Sequence, residues 1–261
     1  MEEKYEDIHK PLTTNTELHE AFKFTTPVAV VLSGIIIAFA IVFSGGNFFH
    51  KNNNETLKDP ELLAQVSQII ENPTTLDYEP VNTEDFVHGN PNAPLTFITY
   101  TDLECPFCKR FHLVMNMLIN DDKNQNVKLV YRQFPIDSLH KKARNEALAT
   151  ECAGSLGGND SFWKFVDELF KKTRSNDSLD PKQLPEIATT VGLNLEQWNT
   201  CMTENKLAEN VNKDIESGNK IGVNGTPSTL IVTKNGQIYQ LEGYRSYSVV
   251  KEVVRQLSLK K

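Results

Sequence analysis

The sequence predicts an α/β fold that contains an inserted helical subdomain and follows a single N-terminal transmembrane helix. Three observations predict it: a strand, a helix and a second strand in succession over 95–134, helical patterns over about 138–218, and an uncharged apolar stretch near the N-terminus. A hairpin pattern and a final helix follow the insertion. We therefore expect one α/β domain that is interrupted by helices.

Composition argues against two classes of protein. The 261 residues are 39% hydrophobic, which is typical of a folded domain with an accessory segment. The formal net charge of -7 disfavours a nucleic-acid binder, because such proteins need a basic excess to neutralise phosphates. Four cysteines are too few for a small disulfide scaffold.

The N-terminal apolar stretch has the length of a membrane span. No residue from 24 to 49 is charged, and 27–46 supplies the roughly 20 residues that a helix needs to cross the hydrocarbon layer. A cleaved signal peptide or a buried soluble helix is the alternative. However, the apolar run follows an acidic leader, and no clear small-residue cleavage site comes after it. A transmembrane helix at 27–46 is therefore predicted.

The cysteine pattern predicts the orientation of this span better than the charged residues do. Lys10 and Lys23 precede it and Lys51 and Lys58 follow it, so the positive-inside rule does not decide. A CxxC pair with two distant cysteines fits an oxidising compartment. We therefore expect a single-pass cell-membrane protein with a cytoplasmic segment at 1–26, an anchor in the lipid bilayer and an extracytoplasmic catalytic domain.

A juxtamembrane linker at 47–83 is expected to contain one short helix. Asp59 at the cap position and Pro60 at the first helical position predict a helix that ends near Glu71. Its apolar face could pack on the domain or lie on the membrane surface. The folded domain is expected over 84–261.

The elements of the domain follow in order. A turn at 88–94 precedes a strand at 95–100, a helix that begins at Cys105 and a strand at 127–134, the order of a parallel βαβ unit. Four helical patterns with polar, Pro or Gly residues at their ends fill the insertion. Two strands joined by the Asn-Gly pair at 235–236 predict a hairpin.

Cys105 and Cys108 form the candidate reactive centre. A cysteine at a helix start lies near unpaired N–H groups and the positive end of the helix dipole, which stabilise a thiolate. Free cysteine titrates near about 8.5, and this position within a CxxC motif lowers the pKa by several units. We predict that Cys105 attacks and that Cys108 resolves the mixed disulfide. Lys109 and Arg110 could add positive potential or form a solvated surface.

A metal site is the alternative interpretation of the CxxC motif. Half of a zinc site needs two further ligands at similar spacing, which Cys152 and Cys201 do not supply. A thiol-based metal carrier would use His112, Met115 or Met117 on the following helix, where packing also explains them. No metal and no cofactor are therefore expected.

Several motifs resemble the thioredoxin superfamily, and in particular the DsbA-like thiol-disulfide oxidoreductases. The resemblance spans about 88–259 and rests on YTDLECPFCKRFH at 100–112, VYRQFPI at 130–136, EC at 151–152 and VNGTPSTLIV at 223–232. It implies a thioredoxin-like fold with a helical insertion and a redox-active CPxC centre. It also implies that Thr226 and Pro227 form a cis-proline loop that faces the catalytic pair.

One departure from that family concerns proton transfer. Many relatives place a buried acid six residues before the first active-site cysteine, and here that position is Thr99. Asp102 or Glu104 could substitute for it. For Glu104 we expect a solvent-facing loop position instead.

Cys152 and Cys201 are expected to form a structural disulfide. An even cysteine count outside the cell favours pairing, and a closed loop of about 50 residues would stabilise the fold by roughly 4 kcal/mol. Two buried free cysteines are the alternative.

The expected function is the introduction of disulfides into exported proteins that have reduced cysteines. A membrane redox partner would then reoxidise the CPFC pair. The motif does not fix the direction of exchange, so a reductase or an isomerase is an alternative. A non-catalytic membrane-tethered binding domain is another alternative. No nucleic-acid partner and a monomeric state are expected.

Overall fold

The structure, a computed structural model, describes residues 59–121 and 125–260. The segments predicted at 1–26 and 27–46, together with the first part of the linker, lie outside the described residues. Within the described ranges, no helix combines the length and the apolar character that a membrane crossing requires.

Helices and strands both occur in the first part of the domain, and helices alone fill the middle. The helices are α1 (Pro60–Ile70), α2 (Pro106–Asp121), α3 (Ala143–Lys172), α4 (Gln183–Thr190), α5 (Leu195–Glu204), α6 (Ala208–Lys220) and α7 (Tyr247–Leu259). The strands are β1 (Val87–Gly89), β2 (Leu95–Thr101), β3 (Val127–Gln133), β4 (Ser228–Thr233) and β5 (Ile238–Glu242).

The strands form one mixed sheet in the order β1-β3-β2-β4-β5. Strands β2 and β3 are parallel, as the predicted βαβ unit requires, and the other neighbours are antiparallel. The predicted hairpin joins β4 to β5, where Gly236 has a φ of 83°. Strand β1 lies where the sequence predicts only a turn, because three residues are too few to show alternation.

Helix α1 belongs to the folded domain. Asp59 caps it, since its Oδ1 accepts from the N–H of Glu61 at 3.0 Å. Leu62, Val66 and Ile69 are buried in the same hydrophobic cluster as the residues of the sheet and α2. The helix therefore packs on the domain, and the compact unit begins earlier than the predicted boundary at 84.

Helices α3 to α6 form the insertion, with one difference from the predicted pattern. The two helices predicted within α3 are separated by a kink at Gly158, where the backbone is non-helical with φ 73° and ψ -167°. The last predicted helix is two helices, because Asn205 has a φ of 53° and ends α5. Asparagine tolerates this left-handed conformation better than most residues, so it is a suitable helix terminator.

A disulfide joins two helices of the insertion. Cys152 in α3 and Cys201 in α5 are bonded, with Cα atoms 5.9 Å apart and a sequence separation of 49. The structure thus contains the expected bridge and not the two free thiols. In the chain-entropy description, such a loop stabilises the fold by roughly 4 kcal/mol.

Candidate active site

Cys105 lies at the N-terminus of α2. Its carbonyl accepts the N–H of Lys109 at 3.1 Å, and its own N–H donates to the carbonyl of Asp102 at 3.1 Å. Pro106 is the first residue of α2, where its missing N–H costs no hydrogen bond. The Cys105 sulfur therefore lies at the end of the helix where N–H groups favour negative charge.

Cys108 lies one turn further into the domain. It is 1% exposed, whereas Cys105 is 6% exposed, so both thiols are largely buried and the first is the more accessible. The Sγ of Cys108 accepts the backbone N–H of Asp102 at 3.5 Å. Phe107, which separates Cys108 from the start of the helix, projects into solvent with 51% of its surface exposed.

The two thiols have opposite acidities. A hydrogen bond from the Cys108 side chain, aided by backbone N–H groups and Thr226, outweighs burial and lowers the pKa of Cys105 to about 6. Burial, together with the hydrogen bond to Cys105 and its charge, raises the pKa of Cys108 well above its ordinary range. At neutral pH the pair therefore holds one thiolate, on Cys105, and one proton, on Cys108.

The loop that precedes β4 contacts the sulfur of Cys105. The peptide bond between Thr226 and Pro227 is cis, as the family resemblance implies. The Cys105 sulfur lies 3.4 Å from the carbonyl oxygen of Thr226, to which its thiol donates when it is protonated. The structure thus brings together all four residues that the sequence predicts for the catalytic centre.

Asp102 holds the turn that leads into α2. It is buried, and its Oδ1 accepts the N–H of Glu104 at 2.9 Å. Its Oδ2 accepts the N–H of Ile136 at 2.7 Å and contacts Nδ1 of His140 at 2.9 Å. Asp102 therefore connects the active-site turn to the segment that follows β3.

His140 is a site residue that the sequence did not indicate. Burial lowers its pKa, but the hydrogen bond and the negative charge of Asp102 outweigh burial, so the net pKa is raised. The negative charge of a Cys105 thiolate raises it further. The contact joins residues 38 positions apart, and no local motif marks it.

The expected solvent-facing position of Glu104 is wrong. Its side chain is fully buried and accepts the hydroxyl of Thr173 at 3.2 Å and the N–H of Leu179 at 3.3 Å. The pKa of Glu146 is raised to about 10. Burial is the largest cause, followed by the hydrogen bond to Glu104 and by the charge of Glu104. Glu146 therefore keeps its proton at neutral pH, because burial and the charge of Glu104 both oppose its ionisation.

Glu146→Gln is expected to flatten the pH dependence of stability. The folded pKa of Glu146 lies near 10, above its unfolded value. At pH values between these two pKa values, the folded state therefore binds one more proton than the unfolded state. Stability from this group is complete below the unfolded pKa and falls by at most about 1.4 kcal/mol per pH unit as pH rises toward the folded pKa. Glutamine keeps the hydrogen-bond donor but cannot ionise.

Denaturant unfolding at pH 5, 7 and 9 measures this effect in the parent chain and in the Glu146→Gln variant. Both proteins are used in the oxidised form, so that Cys105 and Cys108 do not titrate. The variant should gain stability relative to the parent chain at each step up in pH. A difference between the two proteins that stays constant with pH would contradict the raised pKa of Glu146.

No metal centre is formed by the described residues. Within 59–121 and 125–260, no group of three or more His, Cys, Asp or Glu side chains is arranged to hold a metal ion. His112 has both ring nitrogens engaged, with Tyr131 at 2.9 Å and Asp167 at 2.7 Å. Of the two methionines considered for a metal carrier, Met115 is buried in the core and Met117 is exposed.

Comparison with known proteins gives relatives of two kinds. The Na(+)/H(+) antiporter NhaA 1 of Mycolicibacterium gilvum is 30% identical over 155 residues, which are 58% of this chain but only 24% of the antiporter. Disulfide bond formation protein D of Bacillus subtilis is 25% identical over 171 residues, 64% of this chain and 74% of that protein. The chain thus spans about a quarter of the antiporter and most of the second relative.

The fold has solved counterparts. The crystal structure of Pseudomonas aeruginosa DsbA2 superposes with a TM-score of 0.59 and 27% identity, over 69% of this chain and 97% of that one. The sequence profile described as thioredoxin matches residues 81–251, which is well over half of the chain and includes both active-site cysteines and the cis-proline loop. The chain therefore belongs to the thioredoxin family.

Proposed function

We propose that this protein is a thiol-disulfide oxidoreductase that introduces disulfides into exported proteins through Cys105 and Cys108. The opposed acidities of the two thiols carry the proposal, because exchange requires one reactive thiolate and one partner that retains its proton until resolution. Similarity to DsbA2 and to disulfide bond formation protein D supports the same class of reaction.

The reaction begins from the disulfide form of the pair. A substrate thiolate attacks Sγ of Cys105, the bond between Cys105 and Cys108 breaks, and Cys108 leaves with the electron pair and takes up a proton. The second substrate thiolate then attacks the substrate sulfur of the mixed disulfide and releases Cys105 as a thiolate. The substrate loses two electrons and the cysteine pair gains them.

The direction follows from the stabilised thiolate. The hydrogen bonds that lower the pKa of Cys105 act only when both cysteines are reduced. They therefore stabilise the reduced pair relative to the disulfide, which makes the disulfide a stronger oxidant. This favours an oxidase over a reductase of the same fold. A membrane redox partner that reoxidises the pair completes the proposed cycle.

The location is also a proposal. The chain is a single-pass protein of the cell membrane, with a cytoplasmic N-terminus and an extracytoplasmic catalytic domain. The uncharged stretch at 27–46 supports the anchor. The disulfide between Cys152 and Cys201 supports the oxidising side, since such bonds are rare in the cytosol.

Oxidative refolding tests the proposed activity. The full chain, in catalytic amount in a glutathione buffer, is added to a reduced and unfolded ribonuclease, and the return of ribonuclease activity is followed. We expect faster recovery than in the buffer alone, and an equilibrium with glutathione in which the Cys105–Cys108 pair is mostly reduced. A chain that leaves recovery unchanged, or whose pair stays mostly oxidised against glutathione, would contradict the proposal.

A further inference from the structure

We infer that Tyr131, His112 and Asp167 form a proton relay that serves Cys108 during disulfide exchange. This inference rests on the proposed function and adds the path by which the buried sulfur gains and loses its proton. It gives a role to three polar residues that lie outside the CPFC motif and the cis-proline loop.

The relay is needed because no ionisable group occupies the position that many relatives use. Thr99 lies six residues before Cys105. Its hydroxyl is 3.0 Å from the hydroxyl of Thr229, and both groups are buried. A threonine hydroxyl does not ionise at neutral pH, so the proton of Cys108 must travel through other groups.

The fold places Tyr131 beside that position. Thr99 in β2 and Tyr131 in β3 are register partners, so their side chains lie on the same face of the sheet. Tyr131 belongs to the same buried cluster as Cys108. His112 follows Cys108 by four residues on α2, which places both on one face of the helix.

Hydrogen bonds connect these groups to the surface. The Tyr131 hydroxyl is 2.9 Å from Nδ1 of His112, and Nε2 of His112 is 2.7 Å from Oδ1 of Asp167. Tyr131 and His112 are buried, whereas the Asp167 side chain is 50% exposed. Asn116 donates to the same Asp167 oxygen at 3.0 Å and helps to fix it. A continuous polar path thus runs from the core to solvent.

The pKa of Tyr131 supports the part of the path that lies nearest to Cys108. Burial, followed by the charges of Cys108 and Asp167, raises the pKa of Tyr131 well above its ordinary value. Tyr131 and Cys108 belong to one buried cluster, and the charge of a Cys108 thiolate raises the pKa of the phenol. The high pKa also keeps Tyr131 protonated, so it passes protons on rather than storing a negative charge.

The proton transfers balance as follows. When a substrate thiolate breaks the disulfide, Cys108 leaves as a thiolate and takes the hydroxyl proton of Tyr131. The Tyr131 oxygen takes the proton on Nδ1 of His112. At the same time Nε2 of His112 takes a proton that the Asp167 side chain delivers from solvent, so the imidazole ends with its proton on the other nitrogen. Reoxidation reverses each transfer.

Tyr131→Phe tests the relay with little change in packing. It removes one hydroxyl and keeps the ring. The rate of a single turnover of the oxidised full chain with a reduced dithiol peptide should fall about tenfold or more at pH 7, since positioned proton donors contribute roughly 10²- to 10⁴-fold. The pH midpoint for alkylation of Cys105 should not change, whereas a general disturbance of the site would move it.

Tyr100→Phe is the matched control. Tyr100 is also fully buried, and its hydroxyl is 3.0 Å from the hydroxyl of Ser217 on the opposite face of the sheet. This variant loses an equivalent hydrogen bond but has no link to Cys108, so its turnover rate should stay within about twofold of the parent rate. Equal rates for the two phenylalanine variants would overturn the relay.

Asp167→Asn tests the outer end of the relay independently. Because the Asp167 side chain is half-exposed, this substitution should not prevent folding. It should slow the same turnover at least about threefold, because an amide cannot pass a proton from solvent to Nε2 of His112. A parent-like rate for this variant would also overturn the relay. Failure of the parent chain to exchange at all would contradict the proposed function itself, so the two failures are distinguishable.

Discussion

Cys105→Ser is expected to reduce catalysed ribonuclease refolding to the rate of the glutathione buffer alone. A serine hydroxyl stays protonated at neutral pH, and its oxygen forms no exchangeable bond with a substrate sulfur. The hydrogen bonds at the start of α2 that stabilise the Cys105 thiolate then have no reactive group to act on. Refolding yield against time, with the parent chain and the variant at equal concentration, measures this loss.

Cys108→Ser is expected to give a different result from the same assay. Cys105 can still attack a substrate disulfide and form a mixed disulfide, but the neighbouring thiol that would attack this bond and release the substrate is absent. Covalent adducts should therefore accumulate and be detected by mass spectrometry of the unreduced protein. If the parent chain exchanges disulfides and this variant forms no adduct, the attacking and resolving roles assigned to the pair are wrong.

The double variant Cys152→Ala, Cys201→Ala is the matched control for both experiments. It also removes two sulfur atoms, but from the disulfide that joins α3 to α5. Exchange per folded molecule should be retained, while stability falls by up to roughly 4 kcal/mol. Loss of exchange in this variant under conditions where it is folded would implicate the second cysteine pair in the chemistry.

Local sequence signals predicted the parts of the site that are close together in the chain. The CPFC motif at the start of α2 is one such signal, because the turn, the proline and the apolar helical pattern all lie within about one helix length. The hairpin around Gly236 is another. Thr226 and Pro227 were found only through the family resemblance, since a proline just before a strand also occurs in ordinary turns with a trans peptide bond.

Buried polar contacts between distant segments could not be predicted in this way. Glu104 has the sequence context of an exposed loop acid, and only the fold shows that it lies against Glu146. His112 and Asp167 are 55 residues apart, and each alone fits an ordinary helix surface. Such pairs depend on how α3 packs against α2, which periodicity does not specify.

The start of α2 and the Cys108 thiol together make Cys105 a thiolate at neutral pH. The rate of alkylation of reduced Cys105 by iodoacetamide, measured across pH, tests this most directly because only the thiolate reacts. Mass spectrometry assigns the site of modification. Cys108 should remain unmodified at neutral pH, because burial raises its pKa.

We predict a half-maximal rate near pH 6, the pKa of Cys105. Cys108→Ala removes the largest cause of that low pKa, so the midpoint of this variant should move upward toward that of free cysteine, near about 8.5. A parent chain that already titrates at about 8.5, or a midpoint that Cys108→Ala leaves in place, would show that Cys108 does not stabilise a Cys105 thiolate.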